Sequence, residues 1–288
     1  MTEGWKMRTQ SVDLYRFFGR TAPPGGAGTL LCLSPDIPAG LPRCLRPGVL
    51  ILPGGGYSHV SRREGEPVAL RFMARGYAAF VLTYSCAPLV YPTALEEAGM
   101  AMAYIRGQAS EFDLDPDMVA AVGFSAGAHV CGCLGTLFDR PVMERIGPPE
   151  AIRPQVLGLN YPVAVSWGRT HEESFRNLTG GDPALTAALS LDTLVRQDMP
   201  PVFLWHTRDD PSVPCRNSLE LARALEEAGV DFALHIYRKG PHGLATADEQ
   251  SCAGAMIQDI SWDVPGWLEA ELRFFADQGL TIREGAER

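Results

Sequence analysis

The chain lacks an uninterrupted apolar run of membrane-spanning length, and its opening stretch, MTEGWKMRTQSVDLYRFFGR, lacks the apolar core that a signal peptide needs. A cytoplasmic, membrane-free setting is therefore expected. Positive charge is not in excess either. Lys and Arg number 25 against 34 Asp and Glu, for a formal net charge of −9, which argues against nucleic acid or anionic membrane as a partner. Repeats and low-complexity tracts are missing. The seven cysteines are odd in number and sit mostly inside apolar runs (Cys32, Cys86, Cys131), so they do not read as a disulfide framework and fit a reducing compartment. Cys131 and Cys133 flank a glycine, but no second Cys/His pair at ligand spacing accompanies them. A buried structural role is expected for that pair, with no metal.

What is present is alternation. The chain of 288 residues is 46% hydrophobic and 20% charged, enough for one large domain or two small ones. Short apolar runs rich in β-branched and aromatic residues recur as GVLILPGG (48–55), YAAFVLTYS (77–85), MVAAVGFS (118–125), QVLGLNYPV (155–163), PVFLWHT (201–207) and DFALHIYR (231–238). Each is bounded by Gly, Pro, Asp or Ser, which is how a strand buried on both faces reads. Helical spacing separates them. EPVALRFMARG ends on Gly76, YPTALEEAGMAMAYIRGQ begins at Pro92, and SLELARALEEAG ends on Gly229. Such repetition predicts an α/β fold, a mostly parallel twisted sheet with helices on both faces. SVDLYRFF and GTLLCLSPD are expected to form an antiparallel edge. From 166 to 200 the rhythm breaks into short helical fragments around a Gly-Gly turn. This segment reads as an insertion before the penultimate strand, walling the active site of a single domain spanning 1–288.

Chemistry concentrates at VGFSAGAHV. Gly123-Phe124-Ser125-Ala126-Gly127 fits G-x-S-x-G between a predicted strand and a predicted helix. A nucleophile on that sharp turn needs small residues two before and two after it, and the helix that follows points free N–H groups toward the reacting carbonyl. A serine nucleophile needs a base, and the base an orienting acid. On a doubly wound sheet both come from loops at the carboxyl ends of later strands. KGPHGLA supplies His242, and RDDPSVP supplies Asp209 and Asp210. Neighbouring residues in an extended turn point apart, so one aspartate faces the imidazole. Asp210 is favoured because Pro-Ser-Val-Pro turns the chain away after it, with Asp209 as the alternative, solvated or capping a turn. Among the other histidines, His235 and His206 lie in strands, His129 lies one turn past Ser125, and His59 and His171 are loop residues at the pocket. The glycines of LILPGGGYSHV leave backbone N–H groups unobstructed. Gly55 or Gly56 is expected to join Ala126 as the oxyanion hole, with Tyr57, His59, Phe124 and His171 lining the substrate pocket.

PGGGYSHVSRREGEPVA, GFSAGAHV, PPVFLWHTRDDPSVPCRNSLELARALEEAGV and GPHGL resemble the α/β-hydrolase esterases of the acetyl-xylan esterase and bacterial acetylesterase kind, over about residues 45–275. The resemblance implies an α/β-hydrolase fold and a Ser125–Asp210–His242 triad that works without a cofactor. It implies that THEESFRNLTG belongs to the inserted wall of the acyl pocket. Two departures from the wider pattern, Pro53 in place of a histidine and Ala128 in place of a glycine, leave the chemistry intact. The expected activity is hydrolysis of short-chain, foremost acetyl, esters of small molecules, including imported acetylated oligosaccharides. An arylformamidase-like or peptidase-like amide hydrolase would use the same triad. A non-catalytic binding module on this fold would usually have lost a triad member. The oligomeric state is left open, a homodimer included.

Overall fold

The computed structural model describes residues 7–36, 44–252 and 255–284. Residues 1–6 of the opening stretch lie outside them. Eight strands form one sheet: β1 (Met7–Asp13), β2 (Thr29–Pro35), β3 (Cys44–Leu52), β4 (Ala78–Thr83), β5 (Leu114–Phe124), β6 (Leu157–Asn160), β7 (Val202–Thr207) and β8 (Phe232–Tyr237), in the order β1-β2-β4-β3-β5-β6-β7-β8. A two-residue strand, β9 (Arg283–Glu284), pairs antiparallel with the start of β3. From β3 to β8 all neighbours in the sheet are parallel. β2 runs antiparallel to both β1 and β4, which gives the antiparallel edge that the sequence predicts.

The six apolar runs become β3 to β8 because both faces of the sheet are covered. In β3, Leu50 and Leu52 enter one core while Val49 and Ile51 enter the other. In β7 the same alternation sends Val202 and Leu204 one way and Phe203 and Trp205 the other. The helices Thr93–Gly107, Ala126–Leu137 and Arg216–Ala228 pack on the first face, and Glu66–Met73 and Trp267–Asp277 on the second. Gly229, left-handed at φ 72°, ends its helix as expected. The helix before Gly76 stops earlier, at Met73. SVDLYRFF divides: Ser11 to Asp13 complete β1, and Leu14–Phe17 form a helical turn, because the Asp13 carboxylate accepts the Arg16 N–H at 3.0 Å and starts it. Between β6 and β7 the chain makes three short helices, Glu172–Thr179, Pro183–Ala188 and Leu191–Leu194.

This is the α/β-hydrolase fold. After β3 the chain lays β4 on one side, then crosses to put β5 on the other. The carboxyl ends of β3 and β5 therefore flank the topological switch point, where open α/β sheets bind their ligands.

Candidate active site

Ser125 follows β5 at that point with φ 54° and ψ −118°, a conformation that L side chains rarely adopt. Its backbone is fixed from several directions. Its N–H donates to the Asn160 carbonyl at 3.0 Å, and its carbonyl accepts from Ala128, His129 and Val163. The turn is so tight that side chains on its glycines would collide with backbone. A Cβ on Gly123 would fall 2.4 Å from the Gly127 carbonyl oxygen, and one on Gly127 would fall 2.0 Å from that of Leu52. A Cβ on Gly54, across the switch point, would lie 2.9 Å from Ser125 Cβ. The crowd of small residues around this hydroxyl is thus a requirement of close approach between β3, β5 and the helix Ala126–Leu137.

The His242 imidazole meets the hydroxyl, with Nε2 2.7 Å from Ser125 Oγ. Its Nδ1 lies 2.7 Å from Asp210 Oδ2, so the ring proton belongs on Nδ1 and Nε2 is free to accept. Asp210 Oδ1 accepts from the N–H groups of Ser212 and Val213, both at 2.9 Å. His206 is fully buried on the far side of the carboxylate. Its Nε2 faces the Val213 carbonyl at 2.8 Å and Asp210 Oδ2 at 3.4 Å, which assigns a proton there and leaves Nδ1 to accept from the Ser218 hydroxyl. Burial alone would raise the Asp210 carboxyl, but hydrogen bonds from His206 and His242 outweigh it and hold the group below the ordinary carboxylate range. Asp209 does other work: its Oδ1 accepts the Gly240 N–H at 2.9 Å, bracing the loop after β7 against the loop after β8.

Opposite the histidine stands the loop after β3. Gly55 and Gly56 take φ 128° and 63°, which glycine alone adopts readily. Three side chains pin the loop: the Tyr84 hydroxyl donates to the Pro53 carbonyl at 2.7 Å, the Asn177 amide to that of Gly56 at 2.8 Å, and Glu64 accepts the Gly54 N–H at 2.8 Å. Among the described residues, the N–H groups of Gly55, Gly56 and Ala126 donate to no protein acceptor. An imidazole poised on a hydroxyl, with free N–H groups nearby, can generate an alkoxide-like nucleophile and receive the oxyanion that its attack creates.

The expected pocket residues divide. His171 caps the helix Glu172–Thr179, its Nδ1 accepting from Ser174, and its Cε1 lies 3.7 Å from where a Gly56 side chain would begin. His59 is exposed, with Nδ1 3.0 Å from Ser58 Oγ. Tyr57 and Phe124 are both buried, and Tyr57 borders a small cavity together with His129 and Cys133. The Tyr57 hydroxyl is buried 2.7 Å from His129 Nδ1, and His129 Nε2 faces the Leu189 carbonyl at 2.7 Å. Burial pushes that imidazole down to about 4, so it is neutral. Phe124 follows the strand alternation into the second core, its ring against Tyr161 and Trp267. Cys131 and Cys133 are buried, and burial pushes both thiols up. Glu64, Tyr161 and Asn177 carry no role legible in the sequence, and for His206 the contact with Asp210 is what the sequence does not give. Glu64 left a signal, a charged residue in RREGEP close behind the glycine loop, whereas Tyr161 was hidden inside an apolar run.

Comparison with known proteins finds relatives of this chain. The BD-FAE family model matches residues 42–148, and that of the prolyl oligopeptidase family matches residues 169–258. The chain is 38% identical over 217 residues to endo-1,4-beta-xylanase B of Butyrivibrio fibrisolvens, covering 72% of this chain and 34% of that protein. It is 27% identical to an acetylxylan esterase of Xylanibacter ruminicola, covering 91% of this chain and 52% of the relative. The chain thus spans about a third to a half of the length of these curated relatives. Among solved structures, an acetyl ester-xyloside bifunctional hydrolase from Caldicellulosiruptor lactoaceticus superposes with a TM-score of 0.81 at 32% identity, covering 95% of this chain and 98% of the other.

Proposed function

The chain belongs to the α/β-hydrolase esterase family, and from that premise we propose that it is a serine carboxylesterase for short-chain acyl esters, acetyl esters of sugars foremost. Ser125 is the nucleophile, His242 the base, Asp210 the orienting acid, and the N–H groups of Ala126 and of Gly55 or Gly56 the oxyanion hole. The reading rests on the unbroken run from Asp210 through His242 to Ser125, with both contacts at 2.7 Å. As Ser125 Oγ attacks the ester carbonyl, its proton passes to His242 Nε2. Asp210 holds the imidazole's orientation and stabilises its charged form. The protonated ring then delivers the proton to the leaving alkoxide, which departs as the alcohol and leaves an acyl-enzyme. Water, activated by the same nitrogen, releases the acid.

The acetyl preference draws on likeness to an acetylxylan esterase and an acetyl ester-xyloside hydrolase. It draws also on the segment 166–200, whose His171 and Asn177 press against the Gly56 loop and which we assign as the acyl-side wall. Acetylated xylo-oligosaccharides are the matching natural substrates. Hydrolysis of p-nitrophenyl acetate, butyrate and octanoate by the wild type and by Ser125→Ala tests this reading. The wild type should prefer acetate and the variant should be inactive. Equal activity in the two proteins removes Ser125 as nucleophile, and a preference for octanoate removes the acetyl assignment.

Amide hydrolysis is a second reading, favoured by the match of residues 169–258 to the prolyl oligopeptidase family. Turnover of aryl formamides or peptide anilides faster than of acetate esters would establish it.

A further inference from the structure

Beneath the loops that carry His242 and the glycines lies a carboxylate without a role in the steps above. Glu64 is only 3% exposed, and both of its oxygens are occupied. Oε2 accepts the Gly54 N–H at 2.8 Å, and Oε1 accepts the Tyr161 hydroxyl at 2.8 Å. The Tyr161 oxygen accepts in turn from the Ala245 N–H at 2.9 Å. A buried hydrogen-bonded path therefore runs Gly54–Glu64–Tyr161–Ala245. It joins the loop after β3, which carries the glycines, to the loop after β8, which carries His242.

Each end of the path touches the reacting groups closely. Gly54 is the residue whose Cβ would lie 2.9 Å from Ser125 Cβ. Its N–H is committed to Glu64, whereas the next two, those of Gly55 and Gly56, donate to no protein acceptor among the described residues. Tyr161 stands at the end of β6 with φ 37°, its N–H donating to the Trp205 carbonyl at 2.7 Å. Its ring meets the His242 imidazole edge-on, with centroids 5.1 Å apart. Burying a carboxylate is costly, and an apolar residue of similar size would fill the space at less expense. What only the carboxylate offers here is two acceptors in one rigid plane, one for each loop.

We propose that Glu64 and Tyr161 are positioning residues that hold the oxyanion-hole glycines and His242 at a fixed separation across Ser125. The proposal rests on the esterase reading. The test measures kcat and KM on p-nitrophenyl acetate, with thermal melting alongside, for Glu64→Ala, Glu64→Gln, Tyr161→Phe, Glu64→Ala/Tyr161→Phe and Ser125→Ala. Misplacing preorganised donors acts on the transition state more than on the bound ester, so Glu64→Ala should lose about 10²-fold in kcat with KM changed less than about threefold. Glu64→Gln keeps an acceptor for Gly54 and an amide beside the Tyr161 oxygen, and should recover to within about tenfold of the wild type. The double variant should lose no more than the worse single, as residues acting as one unit do.

A folded Glu64→Ala with wild-type kcat overturns the proposal, as do single losses that multiply in the double variant or losses that merely follow the unfolded fraction in the melts. Should Glu64→Ala not fold, Tyr161→Phe decides: a drop in kcat of about tenfold at unchanged KM supports the role, and wild-type kcat refutes it. An active Ser125→Ala would instead sink the esterase reading, whereas an inactive Ser125→Ala beside a fully active Glu64→Ala sinks only the positioning role.

Discussion

Replacing Gly127 by alanine puts the constriction at the elbow under direct strain. The new Cβ would stand 2.0 Å from the Leu52 carbonyl oxygen and 2.4 Å from that of Pro53, where ordinary contact begins near 3.4 Å. Both obstacles are backbone, so no rotamer change relieves them. The end of β3 and the start of the helix Ala126–Leu137 must part by about 1.4 Å, the difference between those contacts. These are the two pieces that present the N–H groups of Gly55, Gly56 and Ala126. Displacement on the scale of 1 Å costs about 10²-fold in rate, and overpacking a filled site costs about 1–3 kcal/mol. The variant should therefore show kcat on p-nitrophenyl acetate lowered by about two orders of magnitude and a Tm lowered by several degrees. Gly107→Ala is the matched control, because its Cβ would meet nothing within 4 Å at the end of the helix Thr93–Gly107. That change should leave kcat untouched and add about 0.4–1 kcal/mol of stability. If Gly127→Ala behaves like Gly107→Ala in both assays, the steric account of the elbow is wrong.

Asp210→Asn should lower kcat by about 10⁴-fold by spoiling the histidine's tautomer, while Asp209→Asn, which keeps an acceptor for Gly240, should stay within about tenfold. Equal losses in the two variants would refute the division of labour between these neighbours. Glu271, on the helix Trp267–Asp277, is fully buried with no hydrogen-bond partner for either oxygen among the described residues, and burial holds its carboxyl well above the usual range. The native state then binds that proton more tightly than the unfolded chain. Its contribution is full below about pH 4.3 and is lost as pH rises toward the native value, by about 1.4 kcal/mol per unit. Glu271→Gln should gain stability over the wild type as pH rises above about 4.3 in denaturant titrations, and parallel curves for the two proteins would count against it.

Much of the fold could be read from the chain because its signals are local. Strands buried on both faces appear as apolar runs, and Pro92 and Gly229 mark helix ends by their own backbone preferences. The elbow was legible for the same reason, since the demand for small residues falls on positions adjacent in sequence. Asp210 and His242 were reachable because strand ends announce which loops converge. The burial of Tyr57 and Phe124 is not legible in the sequence, because a loop or strand residue's face is settled by distant partners, His129 for one and Trp267 for the other. The roles of Glu64 and Tyr161 are not legible because they lie in pairings between segments far apart in the chain. A charged residue read alone has no partner to identify it.

Ser125 and His242 stand 117 positions apart in the chain, and Asp210 and His242 stand 32 apart. Closing loops of such span carries an entropic cost that must be met before the contacts reward it, and topologies rich in distant pairings assemble slowly. The three side chains come into line only when β5, β7 and β8 share one sheet in register. A nascent or partly unravelled molecule holds the serine on its elbow without the imidazole that would rouse it. On the proposed triad, activity therefore waits until the whole architecture stands.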